Sequence, residues 1–216
     1  MIWFTVAVSA LATLLIFPFG VAAAWLLARR EWRGKALVET LIMLPLCVPP
    51  VATGLILLLL LGRGGVLGSF LYRTLGVDVV FTWRAVLVAC AVMSFPLLVR
   101  TAQSTFAEVS GRLEDIARTL GADEWRVFTS ITFPLGMRGI VAGTVLAFAR
   151  AVGEFGATAI VAGMIPGRTM TMSLLIYQNI QLGHDEEALR LLGVSVAIVF
   201  VAVFISQVMI SRRPGR

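Results

Sequence analysis

Five stretches of the chain are apolar for long enough to cross a bilayer. Residues 2–28 carry no charged side chain. A second stretch runs from Thr40 to Leu61, entered from about Ala36. A third, Ala85 to Ala107, is interrupted by Arg100. A fourth, Gly139 to about Gly163, carries Arg150 and Glu154, and a fifth, Leu191 to Ser211, is uncharged. A helix needs about 20 apolar residues to cover a hydrocarbon layer roughly 30 Å thick. The pattern therefore predicts an all-α, polytopic membrane protein with five transmembrane helices, read as a single transmembrane domain over residues 1–216. The uncharged segment from Thr169 to Gly183 is short and rich in amides, which predicts an interfacial or partly re-entrant helix.

Composition supports this picture. Of 216 residues, 59% are apolar and 14% charged, against about 25% charged in soluble domains. A water-soluble globule would expose too much apolar surface, and disorder requires the opposite balance. The net charge of +6 is distributed at the ends of the apolar stretches, not gathered on one solvated face as in a nucleic-acid binder. Arg29, Arg30, Arg33 and Lys35 follow the first stretch. Arg112, Arg118, Arg126 and Arg138 lie between the third and fourth, and Arg212, Arg213 and Arg216 follow the fifth; these eleven face Arg63, Arg73, Arg84, Arg168 and Arg190, five on the other side. Positive charge marks the cytoplasmic side, so the N-terminus is expected outside and the C-terminus in the cytoplasm. The first stretch has its charges after the apolar run, not before it as a cleaved signal would, and is expected to be retained.

Enzyme chemistry finds little support. Lys35 is followed by Ala36, where the motif needs Ser or Thr, and the earlier glycine is replaced by Arg, so no phosphate-binding P-loop exists around this lysine. Cys47 and Cys90 have no His or Cys neighbour at metal-ligand spacing. His184, the sole histidine, sits beside Asp185 and Glu186, as a solvated loop residue would; a Ser–His hydrolase would lack its base. No catalytic residue, metal or cofactor is expected.

Three features go beyond a plain bundle. Pro45, Pro49 and Pro50 weaken the second stretch, because each proline removes a donor and clashes with the preceding turn. In lipid the freed carbonyls need partners inside the protein or along a watery passage. Gly139, Gly143, Ala147 and Ala151 form a ridge of small residues, with Ala149, Gly153 and Ala157 as a second row, predicting close helix packing. Arg150 and Glu154 are four apart, hence on one helix face; buried charge is expensive in lipid, so they either pair with each other or face water. Pro45, Pro49, Pro50, Arg150 and Glu154 are the candidates for a translocation path.

The segment from about Glu108 to Arg138 is long for a chain with so few soluble residues. Leu113, Ile116, Ala117 and Leu120 share one face of a first short helix that Gly121 should end. Asp123 is a good N-cap for a second, Trp125, Val127 and Phe128 add apolar bulk, and Pro134 is expected to mark the turn back to the fourth stretch. Such an amphipathic helix suits a groove in a partner.

This segment resembles the loop signature of bacterial binding-protein-dependent ABC importer permeases: Glu-Ala-Ala, three residues, Gly, nine residues, Ile, one residue, Leu-Pro. Asp115-Ile116-Ala117, Gly121, Ile131 and Phe133-Pro134 occupy those positions, with Asp115, Ile116 and Phe133 as departures that keep charge sign or apolarity. The stretches Phe17–Val21, Pro45–Val51, Val92–Arg100, Ala117–Ala122 and Phe148–Thr158 extend the resemblance along the whole chain to the molybdate permeases of that family, with sulfate/thiosulfate and tungstate permeases as near relatives. The resemblance implies the type I ABC importer permease fold. It also implies a second copy of the chain, a dimer of cytoplasmic ABC ATPases, an extracytoplasmic molybdate-binding protein and membrane lipid as partners, with no nucleic acid. Glu114, Asp115, Ile116, Ala117, Leu120, Gly121, Trp125, Ile131 and Pro134 would form the ATPase-coupling loop. A gradient-driven transporter would be expected to show paired repeats and midplane acids, and no repeat is evident. A structural anchor leaves the proline-rich stretch and the small-residue ridge without a purpose.

Overall fold

A computed structural model of the chain describes residues 1–211; Arg212, Arg213 and Arg216, three of the cations assigned to the inner side, lie outside the described residues. The described residues are helical and contain no strand. Three long helices form the centre: α1 (Ile2–Arg29), α5 (Trp83–Glu108) and α8 (Phe133–Val152). Alanines at 12, 24, 85, 89, 102 and 147 are wholly buried where these helices meet. Small side chains let backbones come close, which in lipid is a main source of helix association. The predicted ridge does this work: a Cβ on Gly143 would lie 3.1 Å from Thr101 and 3.2 Å from the Leu98 carbonyl, and one on Gly139 would collide with the Thr105 side chain. The second row does not form, because the helix ends before it is complete and Gly153 is exposed.

Two of the five predicted spans are broken. Thr40–Leu61 is not one kinked helix but α2 (Lys35–Cys47) and α3 (Pro50–Leu61), which meet at 111°. The cause is local. A residue before proline is pushed to extended backbone, and both Val48 (ψ 140°) and Pro49 (ψ 133°) obey. Pro50 then sits in the first turn of α3, where its missing N–H costs nothing. Pro45 is accommodated inside α2. The fourth span likewise stops at Val152 and resumes as the short α9 (Gly156–Val161), so the prediction of one helix to Gly163 is corrected.

The two breaks abut. A Cβ on Gly54 of α3 would lie 2.8 Å from the Ala157 backbone, and one on Gly156 would lie 2.8 Å from Pro50. Between α3 and α5 runs α4 (Val66–Leu75), flanked by an Arg63–Asp78 pair with two contacts at 2.7 and 2.8 Å. The remaining helices are α6 (Gly111–Thr119) and α7 (Glu124–Val127) in the predicted loop, then α10 (Met172–Gln181) and α11 (Asp185–Ser211). Ten residues rise about 15 Å, so α10 is too short to cross, in line with its predicted character. By length and composition α1, α5, the helix ending at Val152 and α11 can cross a membrane, with α2–α3 as a broken fifth span.

Candidate functional site

The end of the bundle that carries Arg29, Arg30, Arg33 and Lys35, here the basic end, also carries the α6–α7 loop. Ser110 precedes α6, and the helix stops where the sequence predicts. Gly121 has φ +86°, its N–H reaches the Arg118 carbonyl and the Ala122 N–H reaches that of Ala117, both at 3.0 Å. This is the paired closure of a Schellman end, which glycine enters without a Cβ penalty. Asp123 caps α7 by accepting the Arg126 N–H at 2.8 Å.

Pro134 does not mark a turn. Residues from Glu124 to Val152 form one continuous 29-residue helix, with a π-helical turn at Phe128–Thr132 directly before α8. The Phe133 N–H bonds back to the Phe128 carbonyl, so the wider turn shifts the register just ahead of a residue that has no N–H to give. Such π-turns absorb an extra residue within a helix. Pro134 is exposed and Ile131 half-buried. Phe128 gathers an aromatic cluster, with Trp25 edge-on at 5.4 Å and Phe133 and Trp125 at 5.8 and 6.0 Å.

On α6 the predicted face is present and uncovered. Leu113 and Ile116 are exposed, Leu120 is 83% exposed and Trp125 of α7 72%, while Ala117 is half-buried. Asp115 is exposed and holds Arg118 at 2.8 Å. Arg118 also reaches Glu124 with contacts of 2.8 and 3.3 Å, tying α6 to α7. These hydrogen bonds hold the Glu124 carboxyl below its ordinary pKa and raise that of Arg118.

Glu114 departs from the expectation that groups it with this outward surface. It is 4% exposed and faces the membrane bundle. Its Oε1 lies 2.9 Å from Arg29 Nη2 and accepts from Thr132 Oγ1 at 2.5 Å. The sequence reading missed both partners. Arg29 entered it as one charge in a topological count, and Thr132 as a gap between Ile131 and Phe133-Pro134. No spacing rule links residues so far apart. A polar cavity of about 360 Å³ adjoins the cluster, lined by Arg29, Arg30, Glu114, Arg118 and Glu124.

The membrane candidates divide. Arg150 lies in the last turn of α8 and Glu154 beyond its end, so the two do not share a helix face as predicted; the chain turn after Val152 still brings Arg150 Nη1 to 2.7 Å from Glu154 Oε2. Glu154 Oε1 accepts the Ala157 N–H at 2.8 Å, which caps α9, and the side chain is 1% exposed. The pair is mutually neutralised, with Glu154 enclosed and Arg150 partly exposed. Pro50 packs on Gly156, close to this pair. Pro49 is exposed, and Pro45 borders an apolar groove of about 580 Å³ with Leu15, Phe19, Val38 and Phe95. A wall without charge suits hydrocarbon, not a dianion. Arg100 is exposed on α5 and takes part in none of these ion pairs. Among the described residues no cluster of three or more His, Cys, Asp or Glu could hold a metal ion.

Residues 16–215 match the family described as "Binding-protein-dependent transport system inner membrane component", and the chain belongs to that family. Over 201 residues it is 47% identical to the molybdenum transport system permease protein ModB of Escherichia coli (strain K12), covering 93% of this chain and 88% of the relative. It is 41% identical over 191 residues to ModB of Haemophilus influenzae, covering 88% and 83%. The sulfate transport system permease protein CysW of Synechocystis is 32% identical over 211 residues, covering 98% and 76%. Among solved structures, the inward-facing MetNI methionine ABC transporter has a chain with a TM-score of 0.75 at 17% identity, covering 97% of this chain and 93% of that one. That likeness is one of fold. The chain is thus a multi-pass inner-membrane transport component.

Proposed function

We propose that this chain is the pore-forming permease subunit of an ATP-driven molybdate importer. Its N-terminus lies outside and its C-terminus in the cytoplasm, which makes the basic end the inner one. Two copies enclose the path, a cytoplasmic ATPase dimer grips their α6–α7 loops, and an extracytoplasmic binding protein delivers the oxyanion. The chain itself makes and breaks no bonds. It alternates between two arrangements that bind ATPase and cargo differently, as any nucleotide-driven cycle requires.

One observation carries this reading: Leu113, Ile116 and Leu120 of α6 and its end, and Trp125 of α7, stand uncovered, while α6 is anchored to the bundle by the buried charge of Glu114. A free surface helix gains nothing from such a face, whereas a groove in a partner would cover it. Identity to molybdenum permeases exceeds that to the sulfate relative cited above, which favours molybdate as cargo. In the membrane, the Arg150–Glu154 pair serves as a strut and Arg100 remains as a cation able to meet a dianion.

The test is reconstitution of the transporter with its ATPase and binding protein. The wild type takes up radiolabelled molybdate, and excess sulfate does not compete. Leu120→Asp inserts normally but no longer co-purifies with the ATPase and loses uptake. Normal co-purification of Leu120→Asp would refute the docking assignment.

A further inference from the structure

Glu114 is out of place on a docking helix. A carboxylate on a solvated two-turn helix would ordinarily face water, since burying a charge is costly unless it is paired and hydrogen-bonded. Here it is buried; Arg118 of its own helix lies 3.9 Å from Oε2, but its shortest contacts are to other elements. Arg29 is the last residue of α1, and Thr132 is the last residue of the π-turn that leads into α8. The same Arg29 Nη2 also donates to the Val109 carbonyl at 2.9 Å, at the corner between α5 and α6. One carboxylate oxygen thus meets groups from α1 and from the root of α8, while the side chain itself sits on α6.

Short backbone connections already tie α6 to α5 and to α7–α8. No chain connection of this kind reaches α1, which is separated from the loop by four helices. If α6 is displaced, α5 and α8 follow through the backbone, whereas α1 is engaged through its packing on α5 and α8 and through the side chains that reach its end from the loop. The direct contacts from this region to the end of α1 include the Glu114–Arg29 pair, the Arg29 bond to the Val109 carbonyl and the edge of Trp25 on Phe128. An exposed ion pair would yield, being worth about 0–1 kcal/mol. A buried one resists separation because each charge would be left uncompensated.

The geometry points to Glu114 as a positioning residue: a direct joint between the end of α1 and the ATPase-docking helix, beside the packing of α1 on α5 and α8. This rests on the functional reading above and adds to it a direct path by which the end of α1 is engaged. Docking belongs to the outward apolar face; direct engagement of the end of α1 belongs to the inward carboxylate.

The experiment uses the assembled transporter in proteoliposomes and reads molybdate moved per ATP hydrolysed, alongside ATPase co-purification. Glu114→Gln keeps an acceptor for Thr132 but removes the charge facing Arg29. It is expected to co-purify with the ATPase as wild type does while the transport-to-hydrolysis ratio falls about five-fold, within the range found for residues that modulate coupling. Arg29→Gln should give the same loss, and the double variant should be no worse than either, because both remove one joint. Thr132→Val, which deletes the hydroxyl that holds Glu114 Oε1 in place beside Arg29, covers the case in which the charge variants fold poorly, and should lower the ratio about two-fold. An unchanged ratio in Glu114→Gln or in Thr132→Val, additive losses in the double variant, or loss of ATPase binding in Glu114→Gln would each overturn the assignment. A wild-type chain that neither holds an ATPase nor transports molybdate would instead sink the functional reading itself.

Discussion

Glu154 and Glu114 are both almost wholly buried, and each faces an arginine, yet the two pairs hold different things together. Glu154 turns back on its own segment. It meets Arg150 four residues earlier and caps α9 three residues later, so both of its oxygens serve one helix break. Glu114 serves three elements at once, α1, α6 and the root of α8. The first pair makes an irregular backbone tolerable at lipid depth, where an unpaired charge or a free N–H is expensive. The second ties separate helices to a short surface helix. A buried charge with a neighbouring partner is an instrument of local shape, and one with a distant partner marks parts that have to stay in register.

The largest expected effect separates these roles. Glu154→Ala leaves Arg150 alone and uncaps α9, and should cost about 3–5 kcal/mol, the range for breaking a buried pair by removing one partner. Glu154→Gln retains an acceptor for the Ala157 N–H and should cost less. Combining it with Arg150→Met should recover most of the loss, because no charge remains to be compensated. Thermal midpoints of the purified protein in detergent give the order. If Glu154→Ala melted like wild type, the pair would not be the strut of the break. Transport per ATP in a surviving Glu154→Gln sample should stay near wild type, in contrast to Glu114→Gln.

A smaller effect tests the packing that sets α3 against α9. Gly54 lies against the Ala157 backbone so closely that a Cβ would sit 2.8 Å from both its Cα and its carbonyl oxygen. Backbone cannot swing aside as a side chain can. Gly54→Val should therefore cost about 1–3 kcal/mol, the usual range for overpacking, and lower the midpoint accordingly. The same change at Gly64, with nothing within 4 Å of its Cβ position, is the control and should leave the midpoint close to wild type.

What could be read from the sequence follows the same division between near and far. The Arg150–Glu154 pair was visible in a spacing of four, the α6 stop in Gly121, the α7 cap in Asp123, and a close-packing face of α8 in Gly139 and Gly143, though not its partner α5. Each of these depends on residues within a turn or two of one another. The end of α8 at Val152 was not visible, because Arg150–Thr158 has no proline to announce it and the break is held by Glu154 itself. Pro134 misled for a related reason: a π-turn at Phe128–Thr132 resolves the conflict that proline otherwise creates, and nothing in those five residues signals it. The 111° between α2 and α3 exceeds what Pro49-Pro50 dictate, since the prolines fix two extended residues but not where α3 then packs. Glu114–Arg29 lay beyond reach altogether, because only the folded bundle brings the end of α1 beneath α6.

The smallest effect concerns the surface pair that joins α6 to α7, and it sharpens the contrast between buried and exposed carboxylates. Glu124 is half exposed, and the hydrogen bonds from Arg118 hold its carboxyl below the ordinary value of 4.5. With the folded pKa lowered, the carboxylate favours the folded loop in full above the unfolded value. That contribution disappears as pH falls through the folded value, when the carboxyl takes up its proton and Arg118 loses its acceptor. Exposed pairs of this kind contribute about 0–1 kcal/mol and are weakened by salt. The midpoint difference between wild type and Glu124→Gln should therefore be small and constant from about pH 8 down to about pH 5, then shrink toward zero in more acid solution. It should also shrink as salt is raised at pH 7. A difference that grew in acid would mean that Glu124 is stabilised by something other than Arg118. A difference as large as that of Glu154→Ala would remove the distinction between the exposed tie and the buried strut.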